Sequence, residues 1–457
     1  MKRIAFALVA LAACSSTPPE LSLDIRLPDD RSLFAGVASL TLKATRDSAP
    51  LAQSTFAAST QSVSLEGVSH GARTIVELDG ADSTGSVIAR GRTCTFDFEG
   101  AGTTAPLYFA PTNFFASTAS APAATRTYPV AMALSDGTVL LAGGADTAGT
   151  ALASSELFTP GAATFAASGA TMIHARRSAE GTPLPSTGLF VTGGVDATGA
   201  VVADAELYQE SLKSFTAIKA AAIGARVDHR ALLLADGSVF VSGGTATEGG
   251  APLATTAIVY IATDGTFQAT AGPTLVTARR AHATTLAIGV PVVIGGYGAD
   301  GKPLDSIEIV DVSSGTATTV GHLQTARADA TASVLDDGSI LVVGGVGGSG
   351  VLADAELYNP VLAAEPSYKT TVYSLAVARH GHTATVLSDG RVLIAGGFGA
   401  DGKAVDSVEL FVTGVRFVSE RSLGTPRAGH VTVPLCDGTA LVVGGGTGAE
   451  LYNGPAD

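Results

Sequence analysis

The chain has 457 residues, of which 15% are charged and 46% apolar, with 55 glycines, three cysteines and no tryptophan. A net charge of −14, with no basic run after residue 3, excludes a surface that grips a phosphate backbone, so no nucleic-acid partner is expected. No apolar run reaches the ~18–20 residues of a membrane-spanning helix, and three cysteines cannot build a zinc cluster.

Met1-Lys2-Arg3 is a short basic stretch, followed by an apolar run from Ile4 to Ala13. That is the length of a signal-peptide core. It ends in Leu11-Ala12-Ala13-Cys14, with Ser15 next. This resembles the lipobox of bacterial lipoproteins. The resemblance implies removal of a signal peptide (1–13), a diacylglyceryl group on Cys14 and a short lipidated tether (14–20). By the same resemblance the protein sits in the cell envelope, with Ser15 pointing to the outer membrane, and the lipid is its only membrane contact.

From Leu21 to about Pro111 the pattern has period two. Leu21-Ser-Leu-Asp-Ile-Arg-Leu27, Ser39-Leu-Thr-Leu-Lys-Ala44, Ser62-Val-Ser-Leu65, Thr74-Ile-Val-Glu-Leu78, Val87-Ile-Ala-Arg90 and Thr93-Cys-Thr-Phe-Asp-Phe98 alternate between turn clusters. Such alternation predicts half-buried antiparallel strands. Residues 21–110 are therefore expected to form a small immunoglobulin-like β-sandwich, serving as a spacer or docking element.

The remainder repeats. A Gly-Gly doublet ends an apolar run at Gly143, Gly193, Gly243, Gly295, Gly344, Gly396 and Gly444. Sixteen or seventeen residues before each stands an arginine: Arg126, Arg176, Arg226, Arg279, Arg327, Arg379 and Arg427. Between them recurs an Asp-Gly hairpin signal, as at Asp136-Gly137, Asp236-Gly237, Asp337-Gly338, Asp389-Gly390 and Asp437-Gly438. After most doublets comes a triplet such as Glu156-Leu-Phe158, Glu206-Leu-Tyr208, Glu356-Leu-Tyr358, Glu409-Leu-Phe411 or Glu450-Leu-Tyr452. Two units depart from it, with Ile258-Val-Tyr260 and Glu308-Ile-Val310. The fourth strand usually carries an aromatic: Phe165, Phe215, Phe267, Phe417.

A period near 50 residues with four short strands resembles the kelch-type β-propeller. The resemblance covers 111–457 and implies seven blades. The seventh unit ends at Tyr452, too early for a fourth strand, while Asn113-Phe-Phe-Ala116 has a fourth-strand pattern without a blade. That segment is expected to close the ring.

Residues present in every blade point to architecture. The seven arginines and Glu156, Glu206, Glu308, Glu356, Glu409 and Glu450 are expected to pair between blades. His229, His282, His382 and His430 share one register on four blades, so packing is expected and no metal. What varies between blades is the better guide to function. Arg177, Arg280 and His380 follow the repeated arginine, and Tyr297 and Phe398 follow the doublets, all on one propeller face. An aromatic and cationic cluster suits stacking on a sugar or docking a peptide. With Cys14 lipidated, Cys94 and Cys436 remain as a possible disulfide.

These features point to a monomeric, non-catalytic module that binds a protein or glycan of the envelope. The alternative is a carbohydrate-active enzyme, because a kelch-like propeller with a β-sandwich resembles galactose oxidase in layout. That resemblance implies a tyrosine cross-linked to a cysteine beside copper. The propeller's only cysteine, Cys436, lies at a turn outside the mouth, so no cofactor is expected.

Overall fold

In the computed structural model, residues 4–9, 20–59, 68–99, 103–262, 266–360, 370–414 and 416–454 are described. Cys14 with its tether as far as Pro19, and the alternating stretch Ser62–Leu65, lie outside them. The protein is all-β: a small domain of half-barrel form, consistent with a β-sandwich, precedes a seven-bladed propeller.

Alternation places Leu21, Leu23 and Ile25 on one face of the strand Glu20–Arg26, and all three are buried. They share a core with Leu42, Val76, Leu78, Phe98 and Leu107. Hydrogen bonding runs through one continuous sheet, with 20–26, 103–111, 87–92, 71–81, 39–46 and 49–57 as successive neighbours. The sheet curls over the core as a half-barrel. Glu20–Arg26 runs parallel to Thr103–Pro111, and Ile4–Val9 adds an antiparallel edge strand.

Each blade is a four-stranded antiparallel sheet. Blade one comprises Val130–Ala133, Val139–Ala142, Ser154–Thr159 and Thr164–Thr171. Blades two to seven begin at Glu180, Arg230, Ala283, Thr331, Thr383 and His430. Blade seven takes its fourth strand, Phe114–Ser117, from the other end of the propeller sequence, with Tyr452 opposite Phe115. Their rings lie 4.7 Å apart. Closure leaves the propeller no open edge between its first and last blades.

The repeated arginines are 0–3% exposed. In every blade the guanidinium Nη1 donates to the carbonyl of the first doublet glycine, at 3.0 Å for Arg126–Gly143 and 2.8 Å for Arg176–Gly193. In six blades Nη2 also donates to the glutamate, as in Arg176–Glu206 at 2.6 Å. The glutamate's second oxygen accepts from the segment leading to the arginine, as from the Ile173 N–H at 2.7 Å. The expected pairing between blades is therefore corrected. Arginine and glutamate belong to one blade and clamp the incoming crossover onto its third strand. The link between blades is backbone: the second doublet glycine donates to the next arginine's carbonyl, from Gly144–Arg176 at 2.9 Å round to Gly445–Arg126 at 2.7 Å.

Blade three departs further than its sequence indicates. Val241 faces Ala257, whereas the equivalent Val191 faces Glu206. An extra residue in the preceding loop shifts the triplet to Ala257-Ile258-Val259, so Tyr260 turns outward and is 45% exposed. Phe267, which loses its aromatic partner, is exposed as well. Arg226 has no carboxylate; its Nε donates to the Ile223 carbonyl at 2.7 Å. Burial without a counter-charge brings its guanidinium down to about 10. Buried Ile223 packs in the cluster that contains Ala257.

Cys94 and Cys436 are joined by a disulfide, Cα–Cα 4.9 Å, across 342 residues of sequence. It ties the sandwich to blade seven beside the Gly137 turn of blade one. Asn453 reinforces the junction by donating to the carbonyls of Arg90, Ala110 and Pro111 at 3.0, 2.8 and 3.1 Å. Replacing both cysteines by serine is expected to cost about 2–4 kcal/mol, because the link restricts a long loop in the unfolded chain. Urea unfolding and amide exchange across Phe114–Ser117 measure it. An unchanged midpoint and unchanged protection would show that strand pairing alone holds the ring.

Candidate functional site

Short backbone bridges fix the geometry of one propeller face. In six blades the residue after the repeated arginine pairs with the residue after the doublet, as in Arg177↔Val195, Arg280↔Tyr297 and His380↔Phe398. The five residues singled out from sequence therefore share a face, but as separate rim contacts. The Arg280 guanidinium lies 4.6 Å over the Tyr297 ring and 3.4 Å from Asp228. His380 stacks near Phe398 with ring centroids 5.4 Å apart. Arg177 pairs with Glu248 at 2.9 Å.

One residue further along, every blade adopts the left-handed conformation. Tyr128, Ser178, Asp228, Ala281, Asp329, Gly381 and Gly429 have φ of 52°, 52°, 55°, 51°, 52°, 58° and 64°. Only two are glycine, and the conformation costs an L-residue ~1–2 kcal/mol. Backbone bonds hold part of this ring together: Tyr128 N–H donates to the Gly429 carbonyl at 2.6 Å, Ala281 to Asp228 at 2.8 Å, and Asp329 to Ala281 at 2.9 Å.

This ring surrounds an axial cavity of about 380 Å³ lined by Tyr128, Glu180, Asp228, Arg230, Asp329 and His380 among others. Of the five sequence candidates only His380 lines it. Tyr128, Ser178, Glu180, Asp228, Arg230, Asp329 and Thr331 stand two or four positions after the arginine, where a comparison of blades shows the same variability, and His229, His382 and His430 three positions after it.

The mouth has two unlike halves. Blades two to five supply charge: Glu180 and Arg230 lie 3.6 Å apart, with Asp228–Arg280 beside them. Burial pushes the Asp329 carboxyl up, opposed by Arg230, His380 and Arg280 nearby. Burial also raises Glu180, and it raises the Tyr128 phenol together with the charges of Asp329 and Asp228. Blades six, seven and one supply apolar surface. The Tyr128 ring lies on Gly429, where a Cβ would meet its carbons at 2.8 Å, and Phe398 lies over Gly381.

The four buried histidines face the preceding blade, and His229, His382 and His430 also line the cavity. Their Nε2 atoms bond the hydroxyls of Thr192, Ser242, Thr331 and Thr383 at 2.8, 2.9, 2.9 and 3.0 Å. Among the described residues no three His, Cys, Asp or Glu side chains come close enough together to hold a metal. The aspartates of the loops after the doublets are turn formers: Asp146 accepts from Ala148 and Thr150, and Asp196 from Thr198 and Ala200.

No protein-family model matches the sequence, and no curated protein matches it. Solved structures do match in fold. The structure of YjhT is similar at 16% identity and a TM-score of 0.50, over 66% of this chain and 99% of that one. A fungal alcohol oxidase of the AA5 family, in complex with copper, is similar at 19% identity and a TM-score of 0.55, over 75% of this chain and 76% of that one. At these identities the likeness is one of fold.

The copper of that oxidase raises the question whether this mouth fits a metal. The donor set does not. The imidazoles of the four buried histidines are engaged with hydroxyls on separate blades, and Cys436 is bonded to Cys94 rather than available to a tyrosine.

Proposed function

We propose that this chain is a lipid-anchored envelope protein whose propeller is a non-catalytic module, binding a protein or glycan at the axial mouth. The observation that carries the reading is the left-handed ring. Five of its seven residues bear side chains in a backbone conformation that favours glycine, and they surround a cavity with one charged half and one that carries the Tyr128 ring. Strain kept at a concave polar surface is characteristic of ligand sites. The anchor rests on Leu11-Ala12-Ala13-Cys14 at the end of the apolar core.

The likeness to an alcohol oxidase favours a second reading, a carbohydrate-active enzyme of galactose-oxidase-like layout. The engaged histidines and the Cys94–Cys436 bond oppose it.

The test is a pull-down from solubilised envelope with the chain from Ser15 onward as bait, beside an Arg280→Ala, Asp329→Asn variant. One reproducible partner, or retention on one polysaccharide, should be lost in the variant. Capture that persists undiminished would move binding away from the mouth. Mass analysis of the amino-terminal peptide of the membrane-extracted protein should show a diacylglyceryl group on Cys14.

A further inference from the structure

Tyr128 is in the left-handed region, yet its ring is 45% exposed. A residue in that conformation costs ~1–2 kcal/mol, and a buried ring would be the usual compensation. Tyr128 gains little of it: the ring lies against Gly429, and the residue is exposed on the wall of the mouth. Gly429 is needed for this, since any Cβ there would strike the ring at 2.8 Å. An exposed aromatic on the wall of a concave polar cavity points to a ligand.

The charges around the ring narrow the ligand class. All three mouth guanidinium groups are already paired, Arg177 with Glu248, Arg230 with Glu180 and Arg280 with Asp228. An anionic ligand therefore finds no free cation. Among the described residues Asp329 makes no direct ion pair; Arg230 and Arg280 lie near it on one side and the Asp228 carboxylate on the other. A hydroxyl-rich ligand suits both halves, offering donors to the carboxylates and a C–H face to the aromatic ring.

We infer that Tyr128 is the stacking residue of the mouth, and that it takes the uncharged end of a glycan, one sugar ring on the phenol face with hydroxyls toward Asp228 and Asp329. This rests on the mouth being the binding surface. It adds the chemical class and assigns Gly429 as the positioning residue against which the ring rests.

The experiment titrates the full chain with laminarihexaose, mannohexaose and galactohexaose, and with hexagalacturonate as the anionic probe. At least one neutral probe should bind about tenfold or more tighter than hexagalacturonate. Tyr128→Gly should lose about tenfold or more of that affinity, and Gly429→Ala should do the same, whereas Tyr128→Phe stays within about threefold. Tyr128→Gly should also unfold no more easily than the parent, because glycine relieves the strained backbone; a purely structural tyrosine would show the opposite. Unchanged affinity in Tyr128→Gly, or preference for hexagalacturonate, overturns the inference. Binding of none of the four probes overturns the glycan class. Capture of a protein that Asp329→Asn abolishes would then leave the mouth standing as a protein-binding surface.

Discussion

Lowering the pH from 7 to 5 should destabilise this protein by several kcal/mol, and the four buried imidazoles are the reason. Desolvation is the largest cause, and it holds His382 and His430 down to about 3 and His229 and His282 well below the ordinary value of 6.5. Neighbouring cations add to it: Arg226, Arg230 and Arg176 at His229, Arg230 and Arg279 at His282, Arg379 at His382, and Arg427 with Arg379 at His430. The unfolded chain takes up these protons below about pH 6.5 while the folded chain does not, so stability falls as pH falls through that range. At pH 5 each imidazole withholds a proton at a cost of about 2 kcal/mol.

The half-buried carboxyls of Glu180, Asp329 and Glu420 and the buried one of Asp437 are pushed up by desolvation and act with the opposite sign. The turn aspartates, held low by hydroxyl and backbone donors as at Asp196, lose their contribution only in more acid solution. Urea midpoints at pH 7 and pH 5 measure the balance, and His382→Gln with His430→Gln should flatten the dependence. A midpoint independent of pH would mean that the folded protein accommodates the imidazolium.

Glu206→Ala should cost about 3–5 kcal/mol, the range for removing one partner of a buried ion pair. Both Arg176 and Glu206 are fully buried, and the carboxylate also accepts from the Ile173 and His174 N–H groups at 2.7 and 3.0 Å. Truncation leaves a cation and two backbone donors unmatched. Arg176→Met with Glu206→Leu should recover part of the loss, because an apolar pair removes the stranded charge while the two N–H groups stay unmatched.

Blade three shows what accommodation requires. There the crossover closes on itself through Ile223 N–H to the Ala220 carbonyl at 2.9 Å, and Ile223 is buried beside Ala257. Blade two has no such turn, and equilibrium unfolding of the single and double variants measures the difference. A Glu206→Ala variant as stable as the parent would show that the clamp is dispensable.

The periodic features were legible in the sequence because each has a local cause. Asp-Gly sets the tight turn of the propeller hairpins, although Asp79-Gly80 lies within a sandwich strand, and a glycine doublet lets the next blade's backbone approach: a Cβ on Gly193 would collide with the Arg226 carbonyl. The incomplete seventh unit and the orphan aromatic near Phe114 were legible from the same count. Alternation marked the sandwich strands at Leu21 and Ser39, but it carries no information on whether two sheets form or one sheet curls.

Tertiary structure decided the rest. The one-residue shift in blade three is invisible until Ala257 is seen opposite Val241, since Tyr260 mimics the triplet's aromatic by sequence spacing alone. The axial mouth draws Tyr128, Asp228 and Asp329 from positions about 100 residues apart, and only ring closure brings them together. Their left-handed backbone could not be foreseen from residue type, because Tyr, Ser and Ala hold a conformation that crossover geometry imposes and that propensity alone would give to glycine.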